Sequence, residues 1–143
     1  MHILPATIQD ADSIASLLHQ LGYPATKALV ENKLSTFAGR KTDIVLIAKE
    51  EEIIEGVISL HVQDLFHQEG RLGRITSLVI NDQRRGKGVG SMLVRAADEF
   101  FIASGCRRSE VTSGDHRPRA HSFYQGQGYQ EDERRFVKHF QTI

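Results

Sequence analysis

Apolar residues recur along this chain with two periods, and the places where the period changes mark its elements. "HILPATI" at residues 2–8 predicts a short first strand. Ile14, Leu17, Leu18 and Leu21 then fall at i, i+3, i+4 and i+7, the stripe of an amphipathic helix. Asp10 stands where an N-cap belongs, and Gly22 with Pro24 supplies the stop. Thr26 is placed to cap a second helix, on which Val30, Leu34 and Phe37 make a narrower stripe. From Ile44 to Ala48 the chain is apolar on both faces, as a central strand would be. A charged turn follows, and after Gly56 the pattern alternates: Ile58, Leu60 and Val62 share one face, Val57, Ser59, His61 and Gln63 the other. "GRITSLVI" predicts a fourth strand ending at Ile80. Val89, Met92, Leu93, Ala96, Ala97 and Phe100 return to the helical period, and Gly105 closes that helix. "RRSEVTS" reads as a fifth strand, "PRAHSFYQGQG" as a short helix and "ERRFVKHF" as a closing strand. With no repeat or linker, the order predicts one mixed α/β domain over residues 1–143, its helices packed on a sheet.

Composition changes this picture little, and charge changes it locally. The chain has 18 basic and 18 acidic side chains in 143 residues, so binding of nucleic acid through overall charge is not expected. The positive charge is gathered in one place: Arg84, Arg85, Lys87 and Arg95 occur between residues 84 and 95 with no acid among them. The one cysteine, Cys106, has no partner for an intramolecular disulfide and no second thiol for a metal site. No apolar run approaches the ~18 residues of a membrane span, and "MHILPATIQDADS" has no leader pattern. A soluble, cytoplasmic protein without a membrane partner is the expectation.

The basic cluster surrounds three glycines on alternate positions, Gly86, Gly88 and Gly90, between a strand that stops and a helix that starts. Such a turn aims unpaired backbone N–H groups at one point, where the helix dipole also favours an anion. "GKGVGSML" lacks the spacing of a Walker loop. It also fails the dinucleotide fingerprint, being G-x-G-x-G after the fourth strand, with Glu110 opening the next strand instead of ending it.

"RGKGVG", Arg85 to Gly90, resembles the acetyl-coenzyme A loop of the GNAT N-acetyltransferase superfamily, whose pattern is Arg/Gln-x-x-Gly-x-Gly/Ala. "RAHSFYQGQGY" at 119–129 resembles its second signature, and the element order is similar over essentially the whole chain. The resemblance implies a mixed sheet of six or seven strands, flanked by about four helices and splayed between the fourth and fifth strands. It implies that the amides of Arg85, Gly86, Lys87, Gly88, Val89 and Gly90, with Ser91, hold the pyrophosphate of acetyl-CoA as co-substrate. It further implies that the main chain of Leu78, Val79 and Ile80 pairs with the pantetheine arm, and that Tyr124 protonates the departing thiolate. A phenol with a pKa near ~10 holds its proton at neutral pH; packing beside Phe123 is the other reading of Tyr124.

The general base is left open. Many family members carry a glutamate on the fourth strand where this chain reads Ile75-Thr76-Ser77. A water relay through Thr76 or Ser77, a group from "HVQDLFHQE", or an amine that arrives neutral would replace it. The longer stretch "GVISLHVQDLFHQEGRLGRI", and "AHSFYQGQGY" with "RFVK" beyond it, loosely resemble the aminoalkylphosphonate N-acetyltransferases. His61, and His67 if the strand continues, with Asp64 or Glu69, could position an acceptor, relay a proton or bind a divalent ion, against plain solvation; no metal is assigned. His116, Arg117, Arg119 and His121 lie near the second signature, where Arg117 and Arg119 could reach phosphates. The expected activity is acetyl transfer to a primary amine, of a small molecule in preference to a protein, by direct attack in a ternary complex. A peptide acetyltransferase and an acyl-CoA sensor without turnover are the alternatives, and a homodimer is left open.

Overall fold

The computed structural model describes residues 1–112, 118–132 and 135–141. These fall into two compact units, Met1–Thr112 and Ser113–Ile143. The first unit runs β1 (His2–Pro5), a 3-10 turn (Ile8–Asp10), α1 (Ala11–Gln20), α2 (Lys27–Phe37), β2 (Asp43–Glu50), β3 (Ile53–Asp64) and β4 (Arg71–Ile80). A second 3-10 turn (Asp82–Arg84), α3 (Val89–Ala103) and β5 (Cys106–Val111) complete it, and the second unit holds α4 (Pro118–Gly126).

The sheet has the order β1-β2-β3-β4-β5. The first four strands pair antiparallel and β5 lies parallel to β4. A parallel neighbour needs a crossover, and α3 supplies it. Alternation sorts the two faces. A Cβ on Gly56 would meet Ile80 and Leu93 side-chain carbons at 3.0 Å, so α3 sits hard against that face of β3. Ile58, Leu60 and Val62 follow on the same face, buried, as are Val89, Leu93, Val94, Ala97 and Phe101 of α3. On the other face Ile47, Val57 and Val79 pack with Ile14, Leu17 and Val30 of α1 and α2. Each such large aliphatic side chain contributes about 1.5–3 kcal/mol on burial, before the entropy of ordering it.

Two expectations are corrected. Five strands, not six or seven, are present among the described residues. Residues 135–140 of the expected closing strand are not in a ladder, and Phe136, Val137 and Phe140 are exposed. An alternating stretch becomes a strand only with a partner, which its own pattern cannot supply. The start of α1 differs too: Asp10 accepts no cap bond there, and its carboxylate instead accepts from the N–H of Thr7 at 2.8 Å, closing the 3-10 turn. Thr26 does cap α2, accepting from the N–H of Leu29 at 3.1 Å.

Candidate active site

The candidate site is built on β4 because that strand changes partner along its length. Toward its start it is paired on both edges, since β5 matches Arg71 through Ile75. Beyond Ile75 the pairing with β5 ends, while β3 still matches Ser77, Leu78, Val79 and Ile80. One edge of residues 76–80 is therefore without a strand partner among the described residues, and this is where a splay between the fourth and fifth strands was expected. Val79 is buried, while Leu78 and Ile80 are half-buried.

β4 leads directly into the glycine turn. Gly86 and Gly88 have φ of +78° and +84°, a left-handed backbone that L side chains rarely adopt. Gly88 is the N-cap residue of α3 and offers no side-chain cap, so the first N–H groups of the helix depend on other partners. The cations around the turn are not equivalent. Arg84 is ion-paired to Glu50 and to Glu55, with Nε 2.9 Å from Oε2 of Glu55. Glu55 is only 6% exposed, so Arg84 neutralises a buried carboxylate on β3 and anchors the turn to the sheet. The carbonyl of Glu55 also accepts from the N–H of Asn81 at 2.8 Å, and Gln20 of α1 accepts from the N–H of Asp82 at 3.0 Å. Arg85 pairs with Asp82 at 2.8 Å on the surface, and Lys87 is exposed.

Midway along β4 the ladder slips. Ser77 lies opposite Ser59, but Ile75 lies opposite Leu60, so Thr76 is an extra residue. In a regular strand Thr76 and Ser77 would point to opposite faces; the bulge lets both hydroxyls reach one side. Ser59 Oγ is 2.7 Å from Thr76 Oγ1 and 2.6 Å from Ser77 Oγ. His61, two residues along β3, brings Nε2 within 2.8 Å of Thr76 Oγ1. Its Nδ1 is 2.6 Å from the Oδ1 of Asp43, its register partner on β2. The Phe37 ring stands edge-on to the imidazole, centroids 5.3 Å apart. Burial would raise the Asp43 carboxyl, but hydrogen bonds from His61 and Thr42, with the charges of His61 and Arg40, carry it below the ordinary carboxylate value. The five side chains form one continuous chain, Asp43, His61, Thr76, Ser59, Ser77.

Four of the five, all but Asp43, line a cavity of about 210 Å³ between the sheet and α1 and α2. Ser59, His61, Thr76 and Ser77 form the polar wall, opposed by apolar groups such as Ile14, Leu18 and Leu34, with Lys33 on the α2 side. A larger hollow of about 430 Å³ lies toward the start of β4, lined by Glu69, Arg71, Arg107 and Arg108, so that it takes in the candidate Glu69 but not His61, His67 or the glycine turn. Arg71 and Arg108 are already paired there with Asp64 and Glu110.

The remaining candidates are dispersed. β3 ends at Asp64, so His67 does not continue its alternation. His116 and Arg117 lie outside the described residues. Burial pushes the Cys106 thiol up, with Arg71 opposing, which keeps it protonated and unreactive. In the second unit, α4 carries Arg119, His121 and Tyr124. Nδ1 of His121 is 3.8 Å from Glu131. The Tyr124 ring stands edge-on to Phe123 and Tyr129, with centroids 5.4 and 5.9 Å away.

Asp43 and Ser59 were not among the sequence candidates, nor was the buried Glu55. Counting outward from the Glu51–Glu52 turn brings Asp43 within one residue of His61, and the irregularity between Ala48 and Lys49 supplies the rest. Ser59 was assigned its correct face, but its partnership with both β4 hydroxyls depends on a bulge that alternation cannot foresee.

Comparison with known proteins bears on the family and the fold. The model of a family described as the acetyltransferase (GNAT) family matches residues 12–129. The aminoalkylphosphonate N-acetyltransferase of Salmonella typhimurium is 30% identical over 138 residues, 93% of this chain and 87% of that protein. Among solved structures, a transcriptional regulator from Bacillus halodurans matches with a TM-score of 0.86 at 24% identity, over 97% of this chain and 99% of its own. An aminoglycoside N-acetyltransferase in complex with CoA matches with a TM-score of 0.86 at 14% identity, over 99% and 95%. At those identities the two structures share the fold, and no more is taken from them.

Proposed function

The chain belongs to the GNAT acetyltransferase family, and from that premise we propose that it moves an acetyl group from acetyl-CoA to the primary amine of a small molecule, by direct attack in a ternary complex. The observation that carries this reading is β4 itself. A strand edge that is half without a partner among the described residues runs into a left-handed glycine turn at a helix N-terminus, and a cavity opens on the face of the same strand.

Each part has a task in the proposal. Backbone N–H groups from Arg85 through Gly90, with Ser91, bind the pyrophosphate of the coenzyme, favoured by the α3 dipole. The main chain of Leu78, Val79 and Ile80 pairs with the pantetheine amides as an added strand would. Backbone N–H groups at the same edge polarise the thioester carbonyl. Tyr124 gives a proton to the departing thiolate. Residues 1–143 act together as one acetyltransferase domain.

A small acceptor is favoured by the size of the cavity, about 210 Å³, between α1, α2 and the sheet. Aminoalkylphosphonates, named in the 30% identical relative, are small-molecule amines. Lys33 on the cavity wall is placed to meet an anionic tail on such a molecule. The test is release of free thiol from acetyl-CoA with a mixed panel of small amines and peptides. Release with small amines is expected; release with peptides alone would overturn the small-molecule acceptor. Binding of acetyl-CoA without release on any amine would turn the reading to a sensor.

A further inference from the structure

We propose that Ser77, Ser59 and Thr76 form a one-way proton path from the attacking amine to His61, with Asp43 holding the imidazole in the tautomer that receives the proton. This rests on the acetyl-transfer reading above and assigns its base work, on a strand that carries no carboxylate at Ile75, Thr76 or Ser77.

The direction of the path follows from the acid at its end. An ionised carboxylate only accepts, so in the neutral resting imidazole Nδ1 of His61 donates to Asp43 and Nε2 is left as an acceptor. Nε2 then takes its bond from the hydroxyl of Thr76. With that proton committed, Thr76 Oγ1 accepts from Ser59, and Ser59 Oγ accepts from Ser77. Four contacts of 2.6–2.8 Å therefore all point one way. Ser77 Oγ is the far end and keeps its lone pairs for a donor in the cavity. It precedes Leu78, whose main chain is proposed to hold the thioester arm, so an amine bonded to Ser77 lies beside the carbon it attacks.

As the C–N bond forms, the nitrogen loses one proton to Ser77 Oγ. The Ser77 hydroxyl proton passes to Ser59, that of Ser59 to Thr76, and that of Thr76 to Nε2 of His61. Each hydroxyl ends neutral, and the single positive charge is left on an imidazolium facing the Asp43 carboxylate. The His61 side chain is 25% exposed, so solvent removes the proton before the next cycle. The other charged groups around this pair are Arg40, 3.7 Å from Asp43, Lys33 on the cavity wall, and Arg74, the β4 register partner of His61, which is tied to Glu110 at 3.0 Å.

The test uses the whole chain and thiol release over a range of pH, with the best amine of the panel. His61→Gln and Ser59→Ala should each lower kcat by about a hundredfold, leave the KM for acetyl-CoA little changed, and remove the acidic limb of the kcat/KM profile. Ser59→Ala deletes one oxygen in the middle of the path and touches neither end, so it stands even if His61→Gln fails to fold. A merely structural role for these groups would not move the pH profile. An active parent whose variants keep its kcat and its acidic limb overturns the path and leaves acetyl transfer standing. A parent inactive on every amine overturns both.

Discussion

Replacing Tyr124 by phenylalanine removes one oxygen and retains the ring that stands edge-on to Phe123 and Tyr129. Edge-on ring pairs contribute about 0.5–1.5 kcal/mol beyond their buried area, and the variant keeps them. A packing role therefore predicts no kinetic change. A proton donor to the thiolate predicts turnover lower by about tenfold to a thousandfold, in the range of one general acid, with acetyl-CoA affinity little altered. Steady-state kinetics beside a direct binding measurement separates the two, and unchanged turnover would remove Tyr124 from the mechanism. Residues of one type also divide by surroundings that composition does not record. Arg84 and Arg85 are neighbours with identical side chains, yet Arg84 is fixed on Glu50 and the buried Glu55 while Arg85 holds a surface aspartate. The sequence reads both as free charge near an anion, because the acids that bind Arg84 come from β2 and β3, about thirty residues earlier.

At the scale of elements, periodicity carries as far as regular geometry does. The faces of β3, the cap of α2 and the length of α3 follow from alternation, a threonine and a helical repeat. The bulge at Thr76 does not, because one extra residue reverses the facing of every position beyond it. That is why Thr76 and Ser77 could be suspected singly but not joined to Ser59; the closing strand fails for another reason, since alternation at 135–140 supplies no partner strand. The glycine turn is legible for the opposite reason, since left-handed φ values at Gly86 and Gly88 restrict residue type at the positions themselves. Gly88 gives the sharpest test of the turn. A Cβ there meets nothing within 4 Å, so Gly88→Glu is not blocked by crowding. The left-handed backbone costs the variant about 1–2 kcal/mol, a modest part of the roughly 5–15 kcal/mol that holds a domain together. The carboxylate, though, projects where the turn would meet a pyrophosphate. Gly88→Glu should keep a native circular dichroism spectrum and a cooperative melt while losing acetyl-CoA binding in calorimetry. Retained binding would put the phosphates elsewhere.

For the whole molecule, the balance of 18 basic and 18 acidic side chains bears on how a polyanionic co-substrate is held. A neutral protein exerts no long-range pull on the coenzyme, so attraction has to arise at the turn. There Arg84 is neutralised by two glutamates and Arg85 by Asp82. What remains is the exposed Lys87 and what is fixed in the backbone: the N–H groups of the turn, the α3 dipole and the edge of β4 that has no strand partner among the described residues. Hydrogen bonds at contact distance are screened far less than exposed charges, whose reach falls from about 10 Å at 0.1 M salt to about 3 Å at 1 M. Acetyl-CoA at a hundred times its dissociation constant should stabilise the folded chain by about 2.7 kcal/mol, which for a protein of this size raises Tm by about 5–10 °C. If the backbone supplies the site, most of that shift survives when salt is raised from about 0.1 to 1 M at fixed acetyl-CoA concentration. If the basic side chains supply it, the shift collapses as Arg85 and Lys87 are screened, and Lys87→Ala imitates the effect of salt. Thermal melts at the two salt concentrations, with and without acetyl-CoA, decide between a site made of main chain and one made of charge.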